Sequence, residues 1–538
     1  MRRRNFLAAL SVIPFAGPAL SSTAEPTDEW NADVCVIGAG LAGITAAIAA
    51  KTAGAERVCV LEKESLLEGH STISTGYFSA VRHMPGHDAE YRSAVDSMIA
   101  DMEKTGKGLG NPELIRILVE NSGAAYDWMT SLGVTWLPDP YEALGGLVPR
   151  SYLTSFVNGG YDYIFAVNRR LRELKIPLYF GAEVTRVTPT DAGYVVSGSR
   201  LKKKFLVHAK TVILATGGYT ANVELRSKYD PRLTREITST ANPYGDGLDT
   251  ATGDGILFGE TLGAELLDMD KILTIPFSGG RLTNYVGADV YLDESGHRFV
   301  NEQAPMETIS QAVWKLPNHR FWVVTDAAPA KGASRSVKLL RGIVKTADTL
   351  EDVAVGMRVD PKEFLQTMDR YNSYARAHQD PEFGRTLFTQ EIKKPPFYYG
   401  LERPFIHFCN GGLKIDTHAR VIRKDGNPIP GLYAAGEVTG GIHGAGRLGG
   451  CSLPDCVVFG RIAGENAAKE QKSFQKIKGA ESDFRPDLRL TVQTTDHRDP
   501  ELQEWNSRTS TDEGSRNKTR EPSCSYHSVS RPSGNPFP

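Results

Sequence analysis

The feature that most limits the fold of this chain is a glycine turn set between a strand and a helix. Asp33-Val-Cys-Val-Ile37 is a continuous apolar run, it leads directly into Gly38-Ala-Gly40-Leu-Ala-Gly43, and an alanine-rich helical pattern follows over residues 44–53. A strand that is apolar at every position is buried on both faces, as in a parallel sheet covered by helices. Strand, glycine turn and helix in this order open a Rossmann-like βαβ unit of an α/β fold. Gly38 permits the tight turn, Gly40 lets the backbone approach a pyrophosphate, and Gly43 lets helix and strand pack closely. Leu41 and Ala42 begin the helix, whose free N–H groups and dipole favour an anion. A second strand, Arg57-Val-Cys-Val-Leu61, ends at Glu62, 19 residues beyond Gly43. That acid is placed to accept a hydrogen bond from a ribose hydroxyl, so the partner of this unit is a dinucleotide.

Which dinucleotide is decided further along. Glu62 is followed by Lys63 and then by Gly69-His-Ser-Thr-Ile-Ser-Thr-Gly76, a small, hydroxyl-rich loop containing Ser71 and Thr72. It resembles the loop that lies along the cofactor in FAD proteins of the glutathione-reductase type. The likeness extends to Val184, in a strand that meets the adenine in such proteins, and to the Ala215-Thr216-Gly217 turn after the apolar run 211–214. It ends at Gly431-Leu-Tyr-Ala-Ala-Gly436-Glu437, where the acid of those proteins meets the ribityl chain. With Asp254, Gly449, Ser452 and Leu453, these are the residues expected to bind FAD. His70 stands near the position at which membrane-bound complexes bond FAD covalently; here FAD is expected to be bound but not bonded.

A second glycine cluster is denser still, with eight glycines in residues 431–450. Each glycine costs about 0.5–1 kcal/mol inside a helix or strand, so this is backbone folded closely around something else. The run Gly436-Glu-Val-Thr-Gly-Gly-Ile-His-Gly-Ala-Gly-Arg-Leu-Gly-Gly450 resembles the flavoprotein of the fumarate reductase/succinate dehydrogenase superfamily. It is most similar to flavocytochrome c-type fumarate reductases, urocanate reductases and 3-ketosteroid dehydrogenases. The resemblance spans roughly residues 30–468 and implies a glutathione-reductase-type FAD domain in two sequence pieces with an inserted α+β cap. It makes Arg447 the residue that holds a substrate carboxylate or carbonyl, a task to which a guanidinium fork is suited and Lys is not. It makes His407, in Ile406-His-Phe-Cys-Asn-Gly-Gly412, the second ligand of that oxygen. His443 is expected to meet the flavin through its backbone.

Two departures from the family pattern bear on the substrate. The family's proton-delivering Arg, downstream of a segment like Arg298-Phe-Val-Asn-Glu302, is replaced by Met306, and a thioether has no proton to give. The family's substrate-clamping His-Pro aligns with Ile275-Pro276. A small dicarboxylate would leave its second carboxylate unpaired, which costs several kcal/mol. A larger or more apolar unsaturated acid or enone is therefore expected. Candidates for the displaced proton donor are Tyr152, Arg281, Tyr398, Tyr399 and Glu307.

The rest of the chain bounds the setting. Its 62 Lys+Arg against 64 Asp+Glu give no electrostatic reason to propose nucleic acid as a partner. There is no Cys-x-x-Cys-His for a c-type haem, no metal-site spacing around Cys451 or Cys456, and no second dinucleotide turn. Electrons must pass to or from a separate carrier, cytochrome- or quinol-linked. The start, with Arg2 to Arg4 before a short apolar run, reads as a twin-arginine-like export signal over residues 1–24, placing the protein in the periplasm of a bacterium. No window is long and apolar enough to span a membrane. The expected layout is an FAD piece at 30–234, a cap at 235–388, a second FAD piece at 389–468 and a polar, disordered tail at 471–538. Within the cap, strands are expected at 288–293 and 298–301, and a helix at 361–377. Three functions stay open: an exported FAD-dependent oxidoreductase on a C=C bond beside a carboxylate or carbonyl, a 3-ketosteroid-type dehydrogenase, and a flavin-binding electron-transfer protein without catalysis.

Overall fold

The strand Asp28–Ile37 lies at the centre of an eight-stranded sheet, and a computed structural model shows why it must. Val34, Cys35 and Val36 are wholly buried, and the strand runs parallel to Val58–Leu61 on one side and to Lys203–Leu214 on the other. The described residues are 27–474 apart from 68, 143–145, 156–158, 244, 246–248, 277–281, 284–285 and 329–334. The expected export signal, most of the tail, and Arg281 lie outside them.

From one edge the strand order is Arg420–Ile422, Pro428–Ala434, Lys203–Leu214, Asp28–Ile37, Val58–Leu61 and Leu178–Tyr179, with a hairpin of Ala182–Thr190 and Gly193–Arg200 joined to Lys203–Leu214. Chain segments 200 residues apart in sequence thus share one sheet. Two helices press together over it, Leu41–Thr52 and Ser452–Glu470. Their approach depends on small residues: a Cβ on Gly460 would fall 2.7 Å from the Ala42 carbonyl oxygen, and one on Gly464 2.2 Å from that of Ala46. The two glycine clusters are therefore brought to one place.

A second, antiparallel sheet has the order Val290–Leu292, Phe321–Thr325, Phe397–Glu402, Val344–Ala347. Helices Leu350–Met357 and Pro361–Ala377 bury Phe364, Met368 and Tyr371 against it, the latter helix with its predicted bounds and with Asp360 capping the Glu363 N–H. Two expectations are corrected here. Residues 298–301 form no strand; Arg298 makes a single bridge to Leu292, and Val290–Leu292 pairs with Phe321–Thr325 instead, because a longer partner offers a full ladder. The second FAD piece does not begin at 389, since Phe397–Glu402 is the third strand of this sheet. Pro395-Pro396 looks like a linker in sequence, but the non-local pairing beyond it decides.

Between the two sheets the chain crosses twice. One crossing is Ile272–Ile275, the other Phe405–Cys409, and they pair antiparallel. The register shifts between Leu273 and Thr274, whose partners are Phe408 and Ile406, so His407 is the extra residue of a β-bulge. Bulges re-aim side chains and recur beside active sites.

Candidate active site

A cavity of about 450 Å³ runs from the first glycine turn to the crossing strands. At one end it is lined by Gly38, Gly40, Leu41, Ala42, Glu62, Lys63, Val184, Ala215, Thr216, Gly217 and Asp254, and nearer the middle by Ser71, Gly76, Gly436, Glu437, Gly449, Ser452 and Leu453. The residues expected to hold FAD are thus brought together with two exceptions. Gly43 lies behind the turn, where a Cβ would sit 1.9 Å from the Gly38 carbonyl oxygen, in keeping with its packing role. Thr72 is absent from the lining, and its hydroxyl donates to the Leu67 carbonyl instead.

These residues fit a dinucleotide on the structure's own terms. Gly40 and Cys451, which precede the two packed helices, make no side-chain cap, and the first residues of both helices line the cavity. Uncapped helix N-termini aimed into a cavity are an anion site. Gly40 faces open space except for the Ser71 hydroxyl, which accepts from the Leu41 N–H at 3.2 Å. Gly38 adopts φ +103° and a Cβ there would meet the Ala215 carbonyl oxygen at 2.4 Å, so the turn needs glycine twice over. Glu62 accepts from the Ala39 N–H at 2.8 Å and the Glu64 N–H at 2.9 Å, fixing its carboxylate at the cavity wall, where burial pushes its pKa up. Lys63 is held by Thr252 and Asp254.

His70 was singled out in sequence only by position. Its Nδ1 lies 3.2 Å from Glu437 Oε2 and its Nε2 2.9 Å from Asp249 Oδ1, so both ring nitrogens face carboxylates and both must carry protons. Burial alone would depress its pKa, but the charge of Glu437 and the hydrogen bonds from both acids raise it to about 10. With both nitrogens engaged, His70 is a clamp between three chain segments. The other Glu437 oxygen accepts the Cys409 N–H at 2.9 Å.

At the far end, His407 and Arg447 meet. Arg447 Nη2 lies 3.2 Å from His407 Nε2, and Nη1 donates to the Leu448 carbonyl. The other ring nitrogen, Nδ1, is 2.8 Å from the Thr240 hydroxyl. An imidazole that receives from a guanidinium is neutral, with its proton on Nδ1. Burial first, then the charges of Arg447 and His70, lower its pKa to about 3. Arg447 is buried, stacks over Phe408 at 4.9 Å, and its Nε is without a partner. That N–H is the donor a substrate oxygen would satisfy. Opposite the pair stands an apolar wall of Leu273, Ile275, Phe408 and Met306.

Other expected site residues lie elsewhere. Tyr152 does not line the cavity; its ring packs 4.8 Å from Tyr126 and 6.3 Å from Trp136. Tyr398 and Tyr399 are on the second sheet, Tyr399 buried against Trp322 at 6.1 Å. Glu307 faces a separate polar pocket with Lys107, Arg232 and Lys271 and bonds Gln311. His443 is buried behind the glycine loop, bonded to Asp455 at 3.2 Å, and is not part of the cavity wall. Sequence reasoning missed Tyr77, Glu142, Thr240 and Thr283, all of which line the cavity. Among the described residues no cluster of His, Cys, Asp and Glu could hold a metal.

Comparison with known proteins agrees with this geometry. The family model described as "FAD binding domain" matches residues 33–453. A probable fumarate reductase of Shewanella frigidimarina is 34% identical over 81% of this chain and 74% of its own length. A urocanate reductase of Eggerthella lenta is 32% identical over 81% of this chain and 75% of its own. The open conformation of a flavocytochrome c3 fumarate reductase superposes with a TM-score of 0.64 at 32% identity, covering 82% of this chain and 79% of that one.

Proposed function

The chain belongs to the FAD binding domain family and is an FAD-dependent oxidoreductase acting on CH–CH bonds, and from that premise we propose that it reduces a C=C bond conjugated to a single carboxylate or carbonyl, or runs the reverse dehydrogenation. The observation that carries this reading is the Arg447–His407 pair facing an apolar wall within the cavity of the dinucleotide turn. Arg447 binds the substrate oxygen through its fork and polarises the conjugated bond in a dry site, where a fixed charge acts strongly. Its positive charge favours negative charge building on that oxygen. Neutral His407, held by Thr240, keeps the guanidinium in position without adding a second charge. FAD, when bound by the residues described, supplies the hydride-level, two-electron chemistry. The elements around the second sheet act as a cap, carrying Met306 over the substrate and excluding water.

The wall sets the choice of substrate. Fumarate bound by Arg447 would turn its other carboxylate toward Leu273, Ile275, Phe408 and Met306, none of which can donate to it. A monocarboxylate enoate with an apolar body, or an enone, leaves nothing unpaired. The arginine-rich start supports export, and the lack of a haem motif in the sequence supports a separate electron carrier, cytochrome- or quinol-linked.

The test is anaerobic reoxidation of the dithionite-reduced holoprotein by acrylate, cinnamate, cyclohexenone and fumarate, followed at the flavin absorbance. Cinnamate or cyclohexenone is expected to be fastest. Fumarate as the best oxidant would overturn the substrate class, and cyclohexenone alone would move the reading to a ketosteroid-type dehydrogenase. Reoxidation by none of the four would leave a flavin-binding electron-transfer protein.

A further inference from the structure

We propose that Tyr77 is the acid that gives the substrate carbon its proton, in the place where Met306 has none to give. This rests on the C=C reading above. Tyr77 follows Gly76, whose φ of +85° turns the chain and whose carbonyl oxygen is held by the Tyr163 hydroxyl at 2.7 Å. The next residues, Phe78–Ser79, form a short strand paired with Ser151–Tyr152. Alternation on that strand sends Phe78 into the core, where it is fully buried, and leaves Tyr77 on the side of the cavity, which it lines. The same pairing turns Tyr152 away into the cluster of Tyr126 and Trp136.

The strand also joins Tyr77 to the substrate-binding loop. The Ser79 N–H donates to the Gly450 carbonyl at 2.9 Å and its hydroxyl to that of Gly449, also at 2.9 Å, two and three residues beyond Arg447. Tyr77 therefore stands on a backbone bolted to the Arg447 loop. Its ring meets Tyr141 edge-on at 6.3 Å, beside the half-buried Glu142 that also lines the cavity. The other proton-bearing groups of the described lining are committed elsewhere. Lys63 is on Asp254, both nitrogens of His70 are on carboxylates, and His407 gives its Nδ1 proton to Thr240.

The step balances. A hydride from reduced FAD reaches the carbon remote from the carboxylate or carbonyl, the Tyr77 O–H bond breaks, and that proton forms a C–H bond at the adjacent carbon. The π bond is replaced by two C–H bonds, FAD is oxidised, and the phenolate regains a proton from water. In the reverse direction the phenolate takes the proton.

The experiment is the reoxidation assay above on Tyr77→Phe, using the compound that reoxidises the unmodified protein fastest. A loss of about 10²–10⁴-fold is expected, the usual contribution of a placed general acid. Binding of 3-phenylpropanoate to the oxidised holoprotein, read as a shift of the flavin spectrum, is expected to be unchanged. A rate within about threefold of the unmodified protein would overturn the assignment and pass the role to Arg281. If no compound reoxidises the unmodified protein, the C=C reading falls and Tyr77's role with it. Replacement of Tyr77 by 3-fluorotyrosine keeps the shape while making the phenol more acidic. It is expected to move the alkaline limb of the rate profile to lower pH, and an unmoved limb counts against the proposal even if Tyr77→Phe fails to fold.

Discussion

Arg447 combines three properties that no substitute shares. It is buried, it is flat enough to stack on Phe408, and it reaches His407, the Leu448 carbonyl and the cavity at once. Lys would keep the charge but lose the fork. Arg447→Lys is expected to lower kcat/KM by about 100-fold, the scale of one lost donor at a developing oxyanion, while FAD binding measured by fluorescence quenching stays as before. Equal loss of both would show that Arg447 holds the cofactor site together instead. At this scale the sequence was legible where a residue sits in a dense pattern, as Arg447 and Glu437 do. It was illegible where a short strand decides the face. Tyr77 and Tyr152 are both aromatic residues next to serine or glycine, and only the two-residue pairing of Phe78–Ser79 with Ser151–Tyr152 separates them. The aim of His407 depends on a bulge, which one extra residue creates without a mark in composition.

Helix contact explains what the glycines do at the scale of elements. The first turn, the helix after it and the C-terminal helix were readable from apolar runs and glycine spacing, because those patterns are local. The approach of Ser452–Glu470 to Leu41–Thr52 was not, since it depends on residues far apart in sequence. Gly464 is its narrowest point. Gly464→Val would push the helices apart and is expected to destabilise the protein by about 1–3 kcal/mol, as overpacking does. Because both helices begin at the cavity, FAD affinity should fall together with the melting temperature. Lowered stability with unchanged affinity would mean that the two N-termini hold their places independently of the contact.

For the whole molecule, the His70 clamp links stability to pH. It joins the helix His70–Ile73, the segment around Asp249, and Glu437 at the end of the main sheet. The folded pKa of His70, about 10, lies above its ordinary 6.5, so its contribution is complete below pH 6.5, fades above it, and is gone beyond pH 10. Burial would raise the pKa of Asp249, but the hydrogen bond and charge of His70 hold it below the usual carboxylate range, so its contribution is complete at neutral pH and disappears as acid protonates it. Urea unfolding of the apoprotein should therefore show stability falling from pH 6.5 to 10. His70→Asn is expected to flatten that slope and to cost about 2 kcal/mol at pH 6, somewhat below the range for breaking a fully dry ion pair because the His70 side chain is 24% exposed. An unchanged slope would show that the clamp is not ionised as its partners require. The mixed α/β character and the FAD site were legible because dinucleotide binding imposes a fixed local grammar. The extent of the insert was not, because Phe397–Glu402 finds its partners 70 and 50 residues earlier in the chain.

The two strand crossings, Ile272–Ile275 and Phe405–Cys409, divide the labour of the molecule along the chain. Everything between them belongs to the second sheet and its helices, together with Met306; the dinucleotide-binding turns and Arg447 lie outside. A recombination event that exchanged this one continuous stretch would change one wall of the substrate site and leave the redox machinery intact. Seen this way, the paired crossings are a natural splice point, at which an ancestral reductase could be refitted for a new substrate in a single step.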